Sequence, residues 1–493
     1  MPSIIDVLTV IIYVLQVASI VAVIFLERQE PVTTLSWVLV LSFLPIVGFI
    51  LYIFLGRGLK FYVNRKLRIR KELQRGLQSD TFRGQRELYL IPSHSKTERY
   101  PFHDPLMHHY SGLIVANHSY SDAIYSQNNM LKIYIDAAEK YSDLFREIDA
   151  AKDSIHLIYF IISNNNAGHE LVERLTQKAK QGVTVRLIYD ELGSITTPRH
   201  MFRSLVEAGG EVYRFFPLKL GSLLHANYRN HHKIVVIDGK TAYTGGMNVG
   251  DEYLGLHHRK TPWRDTHMRI TGSAVETLQF TFLMDLFYAS NNRALIESCL
   301  TSRYFPMPLQ TKGIGMQMVS SGPDDNNEAI KRGFVKMISY AQKTLYIQSP
   351  YLMPDEPVKE AIQTAVASGV EVILMLPGIP DKRTVYYVTY SYIQTMLDYG
   401  VKVYMYDGFL HAKMMVIDDT ICTIGTTNMD MRSFRLHFEL NNFIYDSTVA
   451  RQCGDIFRED LKHCTEMTPE RYAARGKFQM FKESLLRLLA PMM

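Results

Sequence analysis

The stretch "RNHHKIVVIDGKTAYTGGMN", residues 229 to 248, decides the fold. An alternating apolar run, an Asp-Gly turn and a second run read as a hairpin. Two histidines and a lysine stand before the first run, and an asparagine follows a Gly-Gly pair. On its own such a cluster is ordinary polar decoration of a hairpin, because short motifs match by accident.

The same pattern returns in "LHAKMMVIDDTICTIGTTNMD", residues 410 to 430. Superposing His231 on His411 also matches Lys233 with Lys413, Asp238 with Asp418, Gly245 with Gly425 and Asn248 with Asn428. The histidine-to-asparagine separations agree, 248 − 231 = 17 and 428 − 411 = 17. A doubled pattern of this length is a repeat, so the chain is expected to carry two copies of one unit.

Around each hairpin the elements recur in one order. Lobe one runs through an amphipathic stretch (residues 135–148), "SIHLIYFII", "GHELVERLTQKAKQG", "VTVRLIYDE", a helix over 202–208 and "EVYRFF". Lobe two runs through "NNEAIKRGFVKMISYAQ", "TLYIQSPYL", "PDEPVKEAIQTAVASG", "VEVILMLPG", a helix over 388–398 and "VKVYMYD". Strands alternating with helices predict an α/β fold of two pseudo-symmetric lobes, mixed sheets flanked by helices. The expected division is 1–56 for a transmembrane helical hairpin, 57–130 for a basic juxtamembrane connector, 131–300 and 301–466 for the lobes, and 467–493 for a C-terminal amphipathic helix.

With 493 residues, 47% of them hydrophobic, the chain has material for several cores. Cys299, Cys422, Cys453 and Cys464 show no metal-finger or C-x-x-C spacing and read as reduced thiols. Residues 4–26 and 35–55 are two nearly uninterrupted apolar runs, each about the 20 residues a bilayer crossing needs. The first lacks a basic leader and a small-residue cleavage site, so a retained helix is expected rather than a signal peptide. The linker between the runs carries only Arg28, whereas Arg57, Lys60, Arg65, Lys66, Arg68, Arg70 and Lys71 follow the second. That asymmetry predicts a multi-pass protein with both lobes on the cytoplasmic side, its basic run facing anionic lipid.

Strand geometry limits the chemistry. His231 and Lys233 are two apart and share a face, as do His411 and Lys413. Asp238 and Asp418 fall in the turns, where a structural role is expected. Two histidines suit a phosphodiester: one attacks as a neutral imidazole and the other donates a proton to the leaving alkoxide. Lysines and the amides of Asn248 and Asn428 would stabilise the phosphate oxygens, with no metal required. Each histidine needs a carboxylate on its far nitrogen. "WRDTHMRITG" offers Asp265, expected on His231, and "LHFELNNFIYD" offers Glu439, expected on His411.

The paired "HxKxxxxD…GxxN" motifs resemble those of the phospholipase D superfamily. With the two apolar runs, the chain resembles the bacterial cardiolipin synthases over essentially its whole length. The resemblance implies a catalytic set of His231, Lys233, Asp238, His411, Lys413 and Asp418. It also implies phosphatidyl transfer from one phosphatidylglycerol to another, giving cardiolipin and glycerol, without nucleotide, metal or other cofactor. Two residues depart from the family pattern: His232 stands where Arg is frequent, and His437 where Asn is frequent. Gly246 is Thr426 in the second copy, so a phosphate-binding hydroxyl is expected from lobe two alone, Thr426 or Ser433.

Rival readings share parts of this site. A hydrolytic phospholipase D or another phosphatidyltransferase would use the same histidines. A nuclease would be poorly served by membrane helices, and no basic groove interleaved with aromatics is present to stack bases, so no nucleic-acid partner is expected. A lipid-binding protein with a dead site should have lost at least one position, and all are kept. In "GKFQMFKESLLRLLAPMM" an apolar stripe fits either an interfacial helix or one packed on lobe two. The tyrosine-rich "RTVYYVTYSY" fits a helix face that could line a lipid channel.

Overall fold

The computed structural model describes residues 4–25, 31–55, 102–217, 228–256, 263–309, 312–324, 327–488 and 490. The basic run after residue 56 and most of the expected connector lie outside the described residues.

Both lobes build one seven-stranded pattern. In lobe one the strands lie in the order Glu211–Phe215, Thr184–Asp190, Ser154–Tyr159, Ile234–Ile237, Thr241–Gly245, His267–Thr271 and Tyr125–Tyr134. Lobe two repeats it with Lys402–Tyr406, Glu371–Pro377, Thr344–Gln348, Met414–Ile417, Ile421–Gly425, His437–Tyr445 and Ile314–Ser321. The first three strands of each series are parallel and the others antiparallel. Tyr125–Tyr134 and Ile314–Ser321 then pair antiparallel, which joins both halves into a 16-stranded sheet. Neither joining strand is apparent from periodicity, since "YSQNNMLKIY" is half polar and carries a bulge between Ser126 and Asn129. It also begins ahead of the lobe boundary expected at residue 131.

Helices cover the outer faces, and one apolar core lies between the lobes. Helix Ala274–Ser290 is apolar on nearly every side, as a helix enclosed by two sheets must be. Its Phe282 and Leu286 share a core with Ile158 and Ile234 of lobe one and Met414, Ile424 and Phe457 of lobe two. All four cysteines are free thiols.

The first apolar run forms helix Ile4–Phe25. Pro45, which has no N–H and cannot continue a helix ladder, divides the second run into Pro31–Phe43 and Pro45–Leu55. Among the described residues no helix is long and apolar enough to cross a membrane. The described parts of the two runs form three helices. They present an apolar helical hairpin closed by Val23, Trp37, Leu41 and Tyr52.

The two hairpin turns are built alike. Asp238 and Gly239 have φ of 52° and 64°, and Asp418 and Asp419 have 52° and 51°, the positive values of a type I′ turn. Asp238 accepts backbone N–H bonds from Lys152, Asp153 and Ser154. Asp418 does the same for Gln342, Lys343 and Thr344. Each aspartate thus ties its turn to the start of a neighbouring parallel strand and does not reach the histidine. The catalytic assignment of Asp238 and Asp418 is corrected to an anchoring one. Replacing Asp238 by Ala should lower unfolding stability by about 1–2 kcal/mol through the lost hydrogen bonds. The folded protein should keep its turnover within about threefold, measured by thermal melts beside activity per folded molecule.

Candidate active site

The strand before each histidine leaves its own lobe. Arg229–Asn230 pairs in parallel with His437–Phe438 of lobe two, and Phe409–Leu410 pairs in parallel with Trp263–Arg264 of lobe one. The His231 N–H donates to Phe438 O at 2.9 Å, and the His411 N–H donates to Arg264 O at 2.7 Å. In each case the next residue is a carboxylate, so the backbone exchange carries the side chains with it. His231 Nδ1 lies 3.0 Å from Glu439 Oε2, and His411 Nδ1 lies 2.6 Å from Asp265 Oδ2.

The expected pairing of Asp265 with His231 and Glu439 with His411 is therefore corrected: each carboxylate serves the histidine of the other lobe. Spacing offered no signal for this, because the repeat makes both pairings equally regular.

The rest of the site closes around these pairs. Both histidines and both lysines are buried, and Asp265 and Glu439 have no exposed surface. Lys233 Nζ donates to His231 O at 2.8 Å, and Lys413 Nζ donates to His411 O. Each lysine thereby curls back onto its own histidine's backbone, within the three irregular residues that lead into the hairpin strand. Phe160 meets the His231 ring edge-on at 5.1 Å, and Phe409 lies 5.7 Å from the His411 ring, which walls off water.

Burial first, then the neighbouring Lys233 and Lys413, hold His231 well below the usual imidazole range. Burial and Lys413 also lower His411, but Asp265 opposes them through charge and hydrogen bonding. Burial pushes the Asp265 carboxyl up, yet Lys413 and His411 outweigh it and leave it below its ordinary value. Lys413 is pushed down to about 8 and Lys233 falls well below its ordinary value, both chiefly through burial. Near neutral pH the site thus holds a firmly neutral imidazole, a second held closer to its proton, and cationic charge poised for an anion.

The remaining expected residues divide. Thr426 does not face a ligand, since its hydroxyl donates to Glu439 Oε2 and accepts from Leu440 N. Its place is to fix the carboxylate. The partner position explains the glycine: a Cβ at Gly246 would fall 2.0 Å from Asp265 Oδ1. Asn248 donates to the Tyr253 hydroxyl at 2.7 Å and accepts from Ile161 N, so its amide is committed to the wall. Asn428 is buried and its Oδ1 has no hydrogen-bond partner, and Ser433 is buried in the turn capped by Asp430. His232 points away from the site, to Asp285 at 2.7 Å on the central helix.

Several contributors carry no sequence signal. Arg264 donates to Asp265 O at 2.6 Å and to Asp460 at 2.9 Å, which pins the carboxylate strand. Lys140 is fully buried beneath the site, bonded to the Tyr159 hydroxyl at 3.3 Å, and burial pushes it down to about 7 against the pull of Asp265. The tyrosine-rich helix Arg383–Asp398 packs against helix Lys477–Arg487, with Arg487 over the Tyr392 ring at 4.8 Å and Tyr472 donating to Tyr390 O. That face is covered by protein. Phe478, Phe481 and Leu488 of the C-terminal segment remain exposed.

Comparison with known proteins adds to this geometry. The family model "Cardiolipin synthase, PLD-like domain" matches residues 144–260 and 334–461, and "Phospholipase_D-nuclease N-terminal" matches residues 14–57. The chain is 41% identical over 489 residues to the cardiolipin synthase of Listeria monocytogenes serotype 4b (strain CLIP80459), covering 99% of each. It is 41% identical over 499 residues to the major cardiolipin synthase of Bacillus subtilis (strain 168), covering 100% of each. Among solved structures, the phosphatidylserine synthase of Haemophilus influenzae Rd KW20 has a TM-score of 0.59 at 14% identity, over 78% of this chain and 100% of that one, a likeness of fold.

The crossed pairs make a direct expectation. With imidazole ¹⁵N labels, Glu439→Gln should change the tautomer of His231 and leave that of His411 unaltered. Activity should fall on the order of ten-thousandfold, the scale of losing a histidine's orienting carboxylate.

Proposed function

Because the chain belongs to the cardiolipin synthase family of phospholipase D-like proteins, we propose that it transfers a phosphatidyl group between two phosphatidylglycerol molecules, giving cardiolipin and glycerol. The observation that carries this reading is a single buried site with two neutral-leaning imidazoles, each held at Nδ1 by a carboxylate and flanked by lysines.

In the proposed sequence His231 Nε2 attacks the donor phosphorus. A P–N bond forms as the P–O bond to glycerol breaks, and protonated His411 delivers its Nε2 proton to the departing oxygen. Lys233, Lys413 and the Asn428 amide offset the charge on the phosphate oxygens, and the arriving anion favours the cationic form of both lysines. His411 then takes the hydroxyl proton of the second phosphatidylglycerol, whose oxygen displaces His231. The assignment of roles follows the electrostatics: His231 is the more strongly held neutral, and Asp265 keeps His411 nearer its proton.

Lipid substrates fit a protein associated with the bilayer. In this reading the N-terminal helices, which expose Val10, Val14 and Phe43, anchor the chain in a multi-pass arrangement with both lobes on the cytoplasmic side. Anchoring raises the effective concentration of both lipids, and the apolar walls exclude the water that would turn transfer into hydrolysis.

Reconstitution with phosphatidylglycerol alone should yield cardiolipin and glycerol in equal amounts, lost in His231→Ala and in His411→Ala. Phosphatidic acid as the product would make the protein a hydrolase. As pH rises kcat/KM should fall in two stages, first as His411, held below the ordinary imidazole range, loses the proton it donates, and again above about pH 8 as Lys413 loses its own. Lys413→Arg keeps its charge at any working pH, so whatever activity it retains should keep the first stage and lack the one near pH 8.

A further inference from the structure

The lobes differ at one ring beside the histidines. Trp263 and His437 each stand two residues before the carboxylate of their strand, and each faces the histidine of the other lobe. Ring centroids are 5.7 Å apart for Trp263 and His411, and 5.8 Å apart for His437 and His231. An indole brings no ligand atom, whereas an imidazole brings one. His231, His437 and Glu439 therefore each offer a ligand atom, all within 4.8 Å of one another.

The atoms at the centre of this cluster are poorly satisfied. Glu439 Oε2 is used by His231 and Thr426. Oε1 lies 3.0 Å from His231 Nδ1 and 3.4 Å from His437 Nδ1, yet makes no hydrogen bond in a residue with no exposed surface. His437 Nδ1 is likewise buried and meets Glu439 Oε1 only at that long distance. Native proteins seldom leave such groups unpaired, and here they converge. Two imidazole nitrogens and one carboxylate oxygen form a three-ligand set suited to zinc with a fourth position open.

We propose that His231, His437 and Glu439 form an inhibitory site for a divalent metal of the zinc class, an inference that rests on His231 being the nucleophile. A metal on His231 Nδ1 moves the ring's one proton to Nε2, which then has no lone pair to offer phosphorus. The metal also draws Glu439 away from orienting the ring. Arg432 opposes binding: its Nε donates to His437 Nε2 at 2.9 Å, and a metal on Nδ1 would place a proton on that nitrogen, setting donor against donor. Lobe one has no equivalent site, because Trp263 occupies the position.

The test uses the full chain in phosphatidylglycerol nanodiscs, stripped of metal with EDTA and titrated with Co²⁺ and then Zn²⁺. One equivalent of Co²⁺ should give the visible bands of a tetrahedral site, displaced by Zn²⁺. Zn²⁺ should lower cardiolipin formation at least tenfold, reversed by EDTA. His437→Asn and His437→Trp should lose the bands and resist Zn²⁺, and Arg432→Met should bind at least threefold more tightly. Equal inhibition of His437→Asn and the unaltered chain, or no stoichiometric Co²⁺ bands, would overturn the proposal. The Co²⁺ titration needs no turnover, so a chain that binds metal but makes no cardiolipin would overturn the transfer reading alone and leave the metal site standing.

Discussion

Each site histidine is held by a carboxylate that the other lobe supplies, and the remaining features of the site depend on that exchange. Neither lobe can orient its own imidazole: the residues before His231 run beside the Glu439 strand, and those before His411 beside the Asp265 strand. A buried neutral imidazole with its carboxylate removed leaves an unpaired N–H, a loss of about 1–3 kcal/mol. The lobes are thus coupled at the site as well as through their shared core and the joining strands. A site assembled this way is complete only in the folded whole, which ties integrity of the interface to chemistry.

The near-symmetry of the repeat is broken where the roles diverge. Thr426 fastens Glu439, whereas Gly246 leaves Asp265 room that any side chain would take. Trp263 packs on one histidine and His437 on the other. The result is two imidazoles of similar geometry in different fields, one deeply neutral and one nearer its proton. On the proposed mechanism that difference lets one ring attack while the other delivers a proton.

Much of this architecture can be read from residues alone. The hairpin turns follow from Asp-Gly and Asp-Asp between apolar runs, and the parallel strands from short β-branched segments alternating with amphipathic helices. The joining strands Tyr125–Tyr134 and Ile314–Ser321 escape periodicity, the first through its run of polar residues. The helix Ala274–Ser290 escapes it because a helix buried on all sides has no polar face to betray its period. The site residues were visible as a set, but not their partnering: a duplicated unit gives the same spacing whether its pairs form within lobes or between them. The phosphate roles assigned to Thr426 and Asn248 failed for a related reason, since a hydroxyl or amide near a site is as readily spent on its neighbours as on a ligand.

The central claim is that two histidines act in turn on one phosphorus. Stereochemistry at that atom tests it most directly, using phosphatidylglycerol made chiral at phosphorus with oxygen isotopes and following its configuration into cardiolipin. Two successive in-line displacements, first by His231 and then by the acceptor hydroxyl, predict net retention. Net inversion would mean a single direct displacement and would contradict the account.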